Sequence, residues 1–244
     1  MTRVLVLQHE DGCPVDRLGG WLAEEGVELA TCRPYAGDPV PERVGEDGLV
    51  VLGGHMGAYD DAEHGWLAPT RALLAASAAE GTPVLGICLG AQLLAAACGG
   101  RVEVGAAGIE AGVADVAWRP EAAGDPLFGG LPPYPAPSMH LDAVVELPPG
   151  AAWLGRSPAY PHQVFRVGEA AWGVQFHPEV SVPTWTAWSG HHDGDWERWG
   201  IDGQAVVQDL VRRGDEVEGA GRELARRFAQ VLREASRRGT AASP

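Results

Sequence analysis

The stretch TPVLGICLGAQLLAAACGG, residues 82–100, contains a change from strand to helix around which the rest of the chain can be arranged. Its first half is a short apolar run of strand type, and its second half is rich in alanine and closes on a glycine pair, as helices often do. Cys88 lies at the change, between Gly86 and Gly90. This Gly-x-Cys-x-Gly sequence is typical of a nucleophile elbow, because a tight strand-to-helix turn leaves no room for a Cβ at its flanks.

Cys88 has two possible roles when this stretch is considered alone: a nucleophile, or a small buried apolar residue, which is the usual role of a free cysteine. A nucleophilic thiol needs a base, and the base needs an acceptor that orients it. The sequence WGVQFHPE, residues 172–179, supplies His177 where a strand ends and Glu179 two positions later. We therefore predict Cys88, His177 and Glu179 as the catalytic residues.

A third sequence, VVLGGHMG at residues 50–57, ends another strand with a Gly-Gly pair. Acyl transfer requires backbone N–H groups aimed at the oxyanion that forms on the substrate, and glycine lets the backbone approach closely. We predict the N–H groups of Gly54 and of Leu89, the residue after the nucleophile, as the oxyanion hole.

The order of the segments predicts an α/β fold, with a mostly parallel central sheet flanked by helices. Strand-like runs are at 3–8, 47–54 and 83–88, and helix-like segments are at 14–26, 66–81 and 89–100. A β-rich segment with many prolines and glycines follows over 101–173, and the tail from Ser181 is rich in tryptophan and then helical. We expect one domain over 1–180 and a helical extension, 181–244, packed on it. The tryptophans are expected to pack in its core, with a partner surface as the alternative.

Composition excludes several functions. All 18 basic residues among the 244 are arginine, so lysine-dependent phosphate loops and Schiff-base chemistry are excluded. The net charge of −15 disfavours nucleic acid and anionic membranes as partners. We expect a cytoplasmic location, because the chain has neither a signal-peptide pattern nor a long apolar run. No cofactor is expected, and no metal site either, since the adjacent His191, His192 and Asp193 rarely converge on one ion.

The motifs PVLGICLGAQLLAAACGGRV, residues 83–102, and GVQFHPEV, residues 173–180, resemble the class I, or triad, glutamine amidotransferases. The shared pattern is Gly-x-Cys-x-Gly-x-Gln followed later by His-x-Glu, and the similarity extends from about Val4 to Val180. The tail is similar to that of small stand-alone members of the GMP-synthase-like group. The resemblance implies a flavodoxin-like fold and hydrolysis of the glutamine side-chain amide through a glutamyl thioester on a cysteine.

Further site residues are implied by the same resemblance. Gln92 matches the elbow glutamine that helps to position the substrate, and the backbone around Met139 and His140 is expected to meet the α-carboxylate end of the substrate. His55 departs from the family pattern, which often has proline after the Gly-Gly pair, and it bears on substrate preference. A solvated loop side chain is the favoured interpretation of His55.

Three functions fit the sequence. The first is a glutaminase that delivers ammonia to a separate synthetase, because this chain has no ATP-site motif. The second is a hydrolase or transferase that uses the same residues on another γ-glutamyl compound. The third is a non-catalytic regulatory or binding subunit, which the intact Cys88, His177 and Glu179 disfavour. A panel of γ-glutamyl amides with small and large leaving groups separates the first two functions.

Overall fold

Strands and helices alternate along the first half of the chain. The computed structural model describes residues 1–192 and 194–241, and side chains as far as Arg238. The strands are β1 (Thr2–Leu7), β2 (Val27–Cys32), β3 (Leu49–Val51), β4 (Val84–Ile87), β5 (Arg101–Val104), β6 (Glu110–Trp118), β7 (Tyr134–His140), β8 (Asp142–Glu146), β9 (Ala152–Arg156), β10 (Val164–Val167) and β11 (Ala171–Val174). The helices are α1 (Asp16–Glu24), α2 (Leu67–Glu80), α3 (Leu89–Ala97), α4 (Val182–His191), α5 (Trp196–Trp199), α6 (Gly203–Arg212) and α7 (Gly214–Ala241).

Nine of these strands form one sheet in the order β2-β1-β3-β4-β11-β10-β9-β6-β7. The neighbours from β2 to β11 pair in parallel, and this part carries the elbow. The neighbours from β11 to β7 pair antiparallel, and β5 pairs separately with β8. The predicted α/β fold is confirmed, and the β-rich segment supplies most of the antiparallel part.

The sheet is covered by helices on both faces, which explains the continuous apolar runs of its inner strands. In β1, Val4 and Val6 pack with α1 and α7, whereas Leu5 and Leu7 pack with α2 and α3. The same alternation continues in β3 and β4. The elbow therefore begins in a strand that is fixed by apolar contacts on both faces.

The tail packs on the rest of the chain through two groups of contacts. Helix α7 lies against α1, and α6 lies against β6. A separate apolar cluster, apart from the packing on the two faces of the sheet, contains the buried Trp185, Trp188 and Trp196. This agrees with the predicted packing role of the tryptophans. The division of the chain at residue 180 stays a prediction. In the described part of the chain, no helix combines the length and the apolar character needed to cross a membrane.

A substitution at Gly90, in the first turn of α3, tests how closely the elbow packs against β3. A Cβ at Gly90 would lie 2.1 Å from the carbonyl oxygen of Val51 in β3. We expect Gly90→Ala to lower the free energy of unfolding by about 3 kcal/mol, because backbone cannot move aside cheaply. At Gly219 in α7, a Cβ would meet no atom within 4 Å, so Gly219→Ala should stabilise the helix by about 0.5–1 kcal/mol. Urea unfolding measures both, and equal stabilities of the two variants would contradict the packing described.

Candidate active site

Cys88 occupies a strained turn between β4 and α3. Its backbone has φ 50° and ψ −106°, a region that costs a non-glycine residue free energy and is found mostly at functional sites. The Cys88 N–H donates to the carbonyl of Val174 at 2.8 Å. A Cβ at Gly86 would lie 2.6 Å from the Gly90 carbonyl oxygen, so this predicted elbow glycine has a steric reason. The buried thiol group therefore stands at the end of the parallel sheet.

His177 and Glu179 follow the neighbouring strand, β11. His177 Nδ1 is 2.8 Å from Glu179 Oε1, and the same ring interacts electrostatically with Cys88. Both the imidazole and the carboxylate are buried, with 4% and 3% of their side chains exposed. The backbone N–H of His177 donates to Pro137 at 2.8 Å, which fixes the residue to β7. The three residues predicted as a triad are thus brought together, with His177 paired to Glu179 and beside Cys88, and their catalytic roles stay a prediction.

The environment of His177 favours its protonated form. Burial alone lowers the pKa of this imidazole, but the Glu179 carboxylate and Cys88 outweigh burial and raise the pKa to about 10. An imidazolium at neutral pH can stabilise negative charge on the sulfur beside it. Gln175 also approaches this sulfur, with its Nε2 at 3.7 Å from Cys88 Sγ, a contact that the sequence did not suggest.

The Gly-Gly turn predicted to contribute to the oxyanion hole packs against these residues. A Cβ at Gly53 would lie 2.9 Å from His177 Cε1, and one at Gly54 would lie 3.1 Å from Leu89 Cδ2. Leu89 is the first residue of α3, so its N–H has no acceptor within the helix. The structure therefore brings Gly54 and Leu89 together beside Cys88, and their role as oxyanion donors stays a prediction.

Cys88 opens on a cleft with two lobes. We name the first lobe, of about 310 Å³, the Gln92 lobe, because Gln92, His140 and Asp142 line this lobe and not the other. We name the second lobe, of about 160 Å³, the Glu10 lobe, because Glu10, Cys13, His177 and Trp188 line this lobe and not the first. Both lobes are lined by Gly54, His55, Cys88, Met139 and His192. The sulfur thus lies where the two lobes meet.

The residues predicted to bind substrate lie at the Gln92 lobe. Gln92 Nε2 donates to the Asp142 carbonyl at 3.0 Å and to Gln175 Oε1 at 3.4 Å. Both ring nitrogens of His140 have partners inside the protein, Glu110 Oε2 at 2.9 Å and the Asp142 carbonyl at 3.0 Å. The His140 side chain is therefore used within the protein, whereas Met139 borders both lobes. Substrate binding by Gln92, Met139 and His140 stays a prediction.

Two residues of the Glu10 lobe were not found from the sequence. Trp188 packs against His177 with ring centroids 4.6 Å apart in a T-shaped arrangement, and its Nε1–H donates to the Gly12 carbonyl at 2.7 Å. The Glu10 carboxylate accepts from the backbone N–H of His55 at 2.8 Å. His55 is 67% exposed, as expected for a loop histidine, yet it borders both lobes.

The histidine pair of α4 does not form a metal site with other described residues. In the part of the chain that the structure describes, no three His, Cys, Asp or Glu side chains are placed to hold a metal ion. His192 Nδ1 is 3.7 Å from Asp195 Oδ2, and its ring packs on Trp196. Asp193, which the sequence places beside this pair, lies outside the described residues.

Comparison with known proteins places this chain in a family. The sequence model of "Glutamine amidotransferase class-I" matches residues 22–187. The chain belongs to the class I glutamine amidotransferases. The amidotransferase is 37% identical over 153 residues to a protein of Natronomonas pharaonis that is named as one subunit of a glutamine-hydrolysing GMP synthase, a match that covers 59% of this chain and 72% of the relative.

Two further comparisons support the assignment. A relative of the same name from Haloarcula marismortui is 39% identical over 145 residues, which cover 58% of this chain and 68% of the relative. The crystal structure of a glutamine amidotransferase from Thermotoga maritima superposes with a TM-score of 0.82 at 27% identity, covering 93% of this chain and 98% of that one. The predicted family and enzyme class are confirmed.

The charge of Glu179 is expected to control the titration of His177. Glu179→Gln can keep a hydrogen bond to the ring but removes the negative charge, so the pKa of His177 should fall from about 10. In the native protein the raised pKa adds stability that is complete below pH 6.5 and is lost as the pH rises toward 10. NMR titration of the His177 ring measures the first effect, and unfolding between pH 6.5 and 10 measures the second.

Glu218→Gln is the matched control, because Glu218 pairs with Arg17 at the surface. This variant should leave the titration of His177 unchanged. A His177 pKa that is the same in Glu179→Gln and in the native chain would contradict the electrostatic role given to Glu179.

Proposed function

We propose that this amidotransferase hydrolyses the side-chain amide of glutamine through a glutamyl thioester on Cys88 and delivers the ammonia to a separate acceptor enzyme. The observation that carries the proposal is the position of His177, buried between the Cys88 sulfur and the Glu179 carboxylate. This arrangement suits acyl transfer, because one group can take a proton from the nucleophile and return it to the leaving nitrogen.

In the first half of the reaction, Cys88 Sγ attacks the amide carbon of glutamine and the carbonyl oxygen becomes an oxyanion. The N–H groups of Gly54 and Leu89 stabilise this oxyanion. The carbon–nitrogen bond then breaks, His177 gives its proton to the nitrogen, and ammonia leaves. Glu179 holds the ring by its Nδ1 side throughout, so that the other ring nitrogen faces the reacting atoms.

In the second half, water replaces ammonia at the reacting carbon. His177, now neutral, takes a proton from the water, whose oxygen bonds to the thioester carbon. The carbon–sulfur bond breaks and glutamate leaves, with the Cys88 sulfur and the His177 proton restored. The same oxyanion donors serve both halves, because the oxygen occupies the same position in each tetrahedral intermediate.

The names of the relatives support an acceptor on another polypeptide. The proteins from Natronomonas pharaonis and Haloarcula marismortui are each named as one subunit of a glutamine-hydrolysing GMP synthase. We propose that the present chain is likewise a glutaminase subunit, and that its acceptor is a synthetase that uses ammonia. The amino-acid end of glutamine occupies the Gln92 lobe in this proposal, with Met139 and His140 beside it.

Replacement of the nucleophile tests the catalytic role of Cys88. Cys88→Ala should reduce glutamate release from glutamine by at least about a thousandfold, because no thioester can form. Cys98→Ala is the matched control, since Cys98 is a half-buried thiol at the far end of α3. It should keep native activity. Glutamate production is measured for both variants, and full activity of Cys88→Ala would rule out the mechanism.

Ammonia delivery makes a separate prediction for the complex with an acceptor synthetase. With Cys88→Ala in the complex, glutamine should no longer support amination of the acceptor substrate, whereas added ammonium chloride should still do so. The ratio of the glutamine-supported rate to the ammonia-supported rate is the measurement. Equal loss of both rates would show that Cys88 acts on the complex in a way other than as the source of ammonia.

A further inference from the structure

The two lobes of the cleft have different places in the proposed reaction. His177 lines the Glu10 lobe and not the Gln92 lobe, whereas Gln92 and Asp142 line only the Gln92 lobe. The leaving nitrogen must face His177, because this residue gives it a proton. The leaving group therefore departs into the Glu10 lobe.

The Glu10 lobe is larger than ammonia requires. Its volume is about 160 Å³, whereas a single water-sized molecule needs only about 10–15 Å³ of such space. The lobe reaches from Cys88 past His177 to Cys13 and Trp188. A leaving group of several heavy atoms can thus be accommodated beside the reacting sulfur.

Glu10 gives this lobe a fixed negative charge. Its Oε1 accepts from the backbone N–H of His55 at 2.8 Å and from Cys13 Sγ at 3.3 Å, and its Oε2 is 2.9 Å from His55 Nδ1. A carboxylate has about four acceptor positions, so one remains for a ligand. Although burial raises the pKa of Glu10, the hydrogen bonds with His55 and Cys13 bring it below its usual value, and the group stays ionised at neutral pH.

The positive charge that His177 brings to this lobe is paired with the Glu179 carboxylate at 2.8 Å, which leaves the Glu10 carboxylate to attract a cation. Among the described residues that line it, Glu10 is the one carboxylate and no arginine is present. Its other titratable side chains are Cys13, His55, His177, His191 and His192. Trp188 adds an indole that is fixed by its hydrogen bond to Gly12. An indole face attracts an ammonium group, and a nearby carboxylate adds a charge-assisted hydrogen bond.

We propose that the Glu10 lobe binds a positively charged amine, so that the enzyme cleaves γ-glutamyl amides of short diamines in addition to glutamine. The inference rests on the proposed function, because it uses the same thioester chemistry on Cys88. The acyl carbon–nitrogen bond breaks, His177 gives its proton to that nitrogen, and the diamine leaves with its second amino group protonated. Water then releases glutamate, so that one amide and one water yield glutamate and one diamine.

A panel of matched substrates tests the charge selectivity. γ-Glutamyl-(3-aminopropyl)amide carries the cation, γ-glutamyl-n-butylamide is its neutral isostere, γ-glutamyl-β-alanine carries an anion, and glutamine is the reference. For the native enzyme we expect kcat/KM of the cationic amide to exceed that of the neutral one by about tenfold, and the anionic amide to be the poorest substrate. Added salt should reduce the cationic preference.

Variants of Glu10 identify the source of that preference. Glu10→Gln keeps the size and polarity of the side chain, and it should bring the cationic-to-neutral ratio close to one. Glu10→Asp keeps the charge and should retain part of the preference. Glu28→Gln is the matched control, because Glu28 is an exposed partner of Arg3 on the edge strand, and it should leave all four substrates unaffected. Circular dichroism and thermal midpoints verify that each variant is folded.

The outcomes separate this proposal from the proposed function. Glutamine hydrolysis without a preference for the cationic amide, or a preference that persists in folded Glu10→Gln, overturns the amine site and leaves the glutaminase intact. Absence of turnover for glutamine and for all three amides, with the acceptor synthetase present, overturns the proposed function itself and the amine site with it. A preference that is present in the native enzyme, lost in Glu10→Gln and partly restored in Glu10→Asp supports the site.

Discussion

The positive φ of the Cys88 backbone is the constraint on which the site depends. A non-glycine residue at φ 50° costs about 1–3 kcal/mol, and it persists only when its surroundings determine it. Here the parallel strands β3 and β11 fix β4 from both sides, and Gly90 lets α3 begin directly against β3. The strands that hold Cys88 in this strained conformation thus belong to the most completely buried part of the sheet. In return, the sulfur stands at the end of the strand, beside His177, which follows the neighbouring strand β11.

His177 is fixed by elements that are far apart in sequence. Glu179 orients His177 from one side, and the Glu179 carbonyl in turn accepts the backbone N–H of Arg17, where α1 begins. Trp188 from α4 packs against the same imidazole in a T-shaped arrangement and is itself anchored to Gly12. The helical tail therefore contributes to the environment of His177 as well as to the core. In the proposed mechanism, this packing keeps the His177 ring in one orientation through both proton transfers.

The sequence was sufficient where local pattern and chemistry coincide. The apolar run before Cys88, its flanking glycines and the later His-x-Glu predicted the elbow and the grouping of Cys88, His177 and Glu179 in one place. The strand Val27–Cys32 was not predicted, because it lies at the sheet edge and carries exposed residues such as Glu28. Trp188 and Glu10 could not be assigned to the site either. Their positions follow from how α4 and the loop after β1 fold onto the cleft, which no spacing within the chain encodes.

Ammonia delivery and amine binding place opposite demands on the Glu10 lobe. Ammonia can attack an acceptor only while it is neutral, so a delivery route should be narrow and without a carboxylate that would hold ammonium. Binding of a charged amine needs the reverse, an open lobe with a fixed negative group. With Glu10 on its wall and His55 largely exposed at its edge, the lobe of the chain alone meets the second demand. An acceptor that covers the lobe near His55 would narrow the route and close it to a charged amine, so the two proposed uses of Cys88 would exclude each other at the same opening.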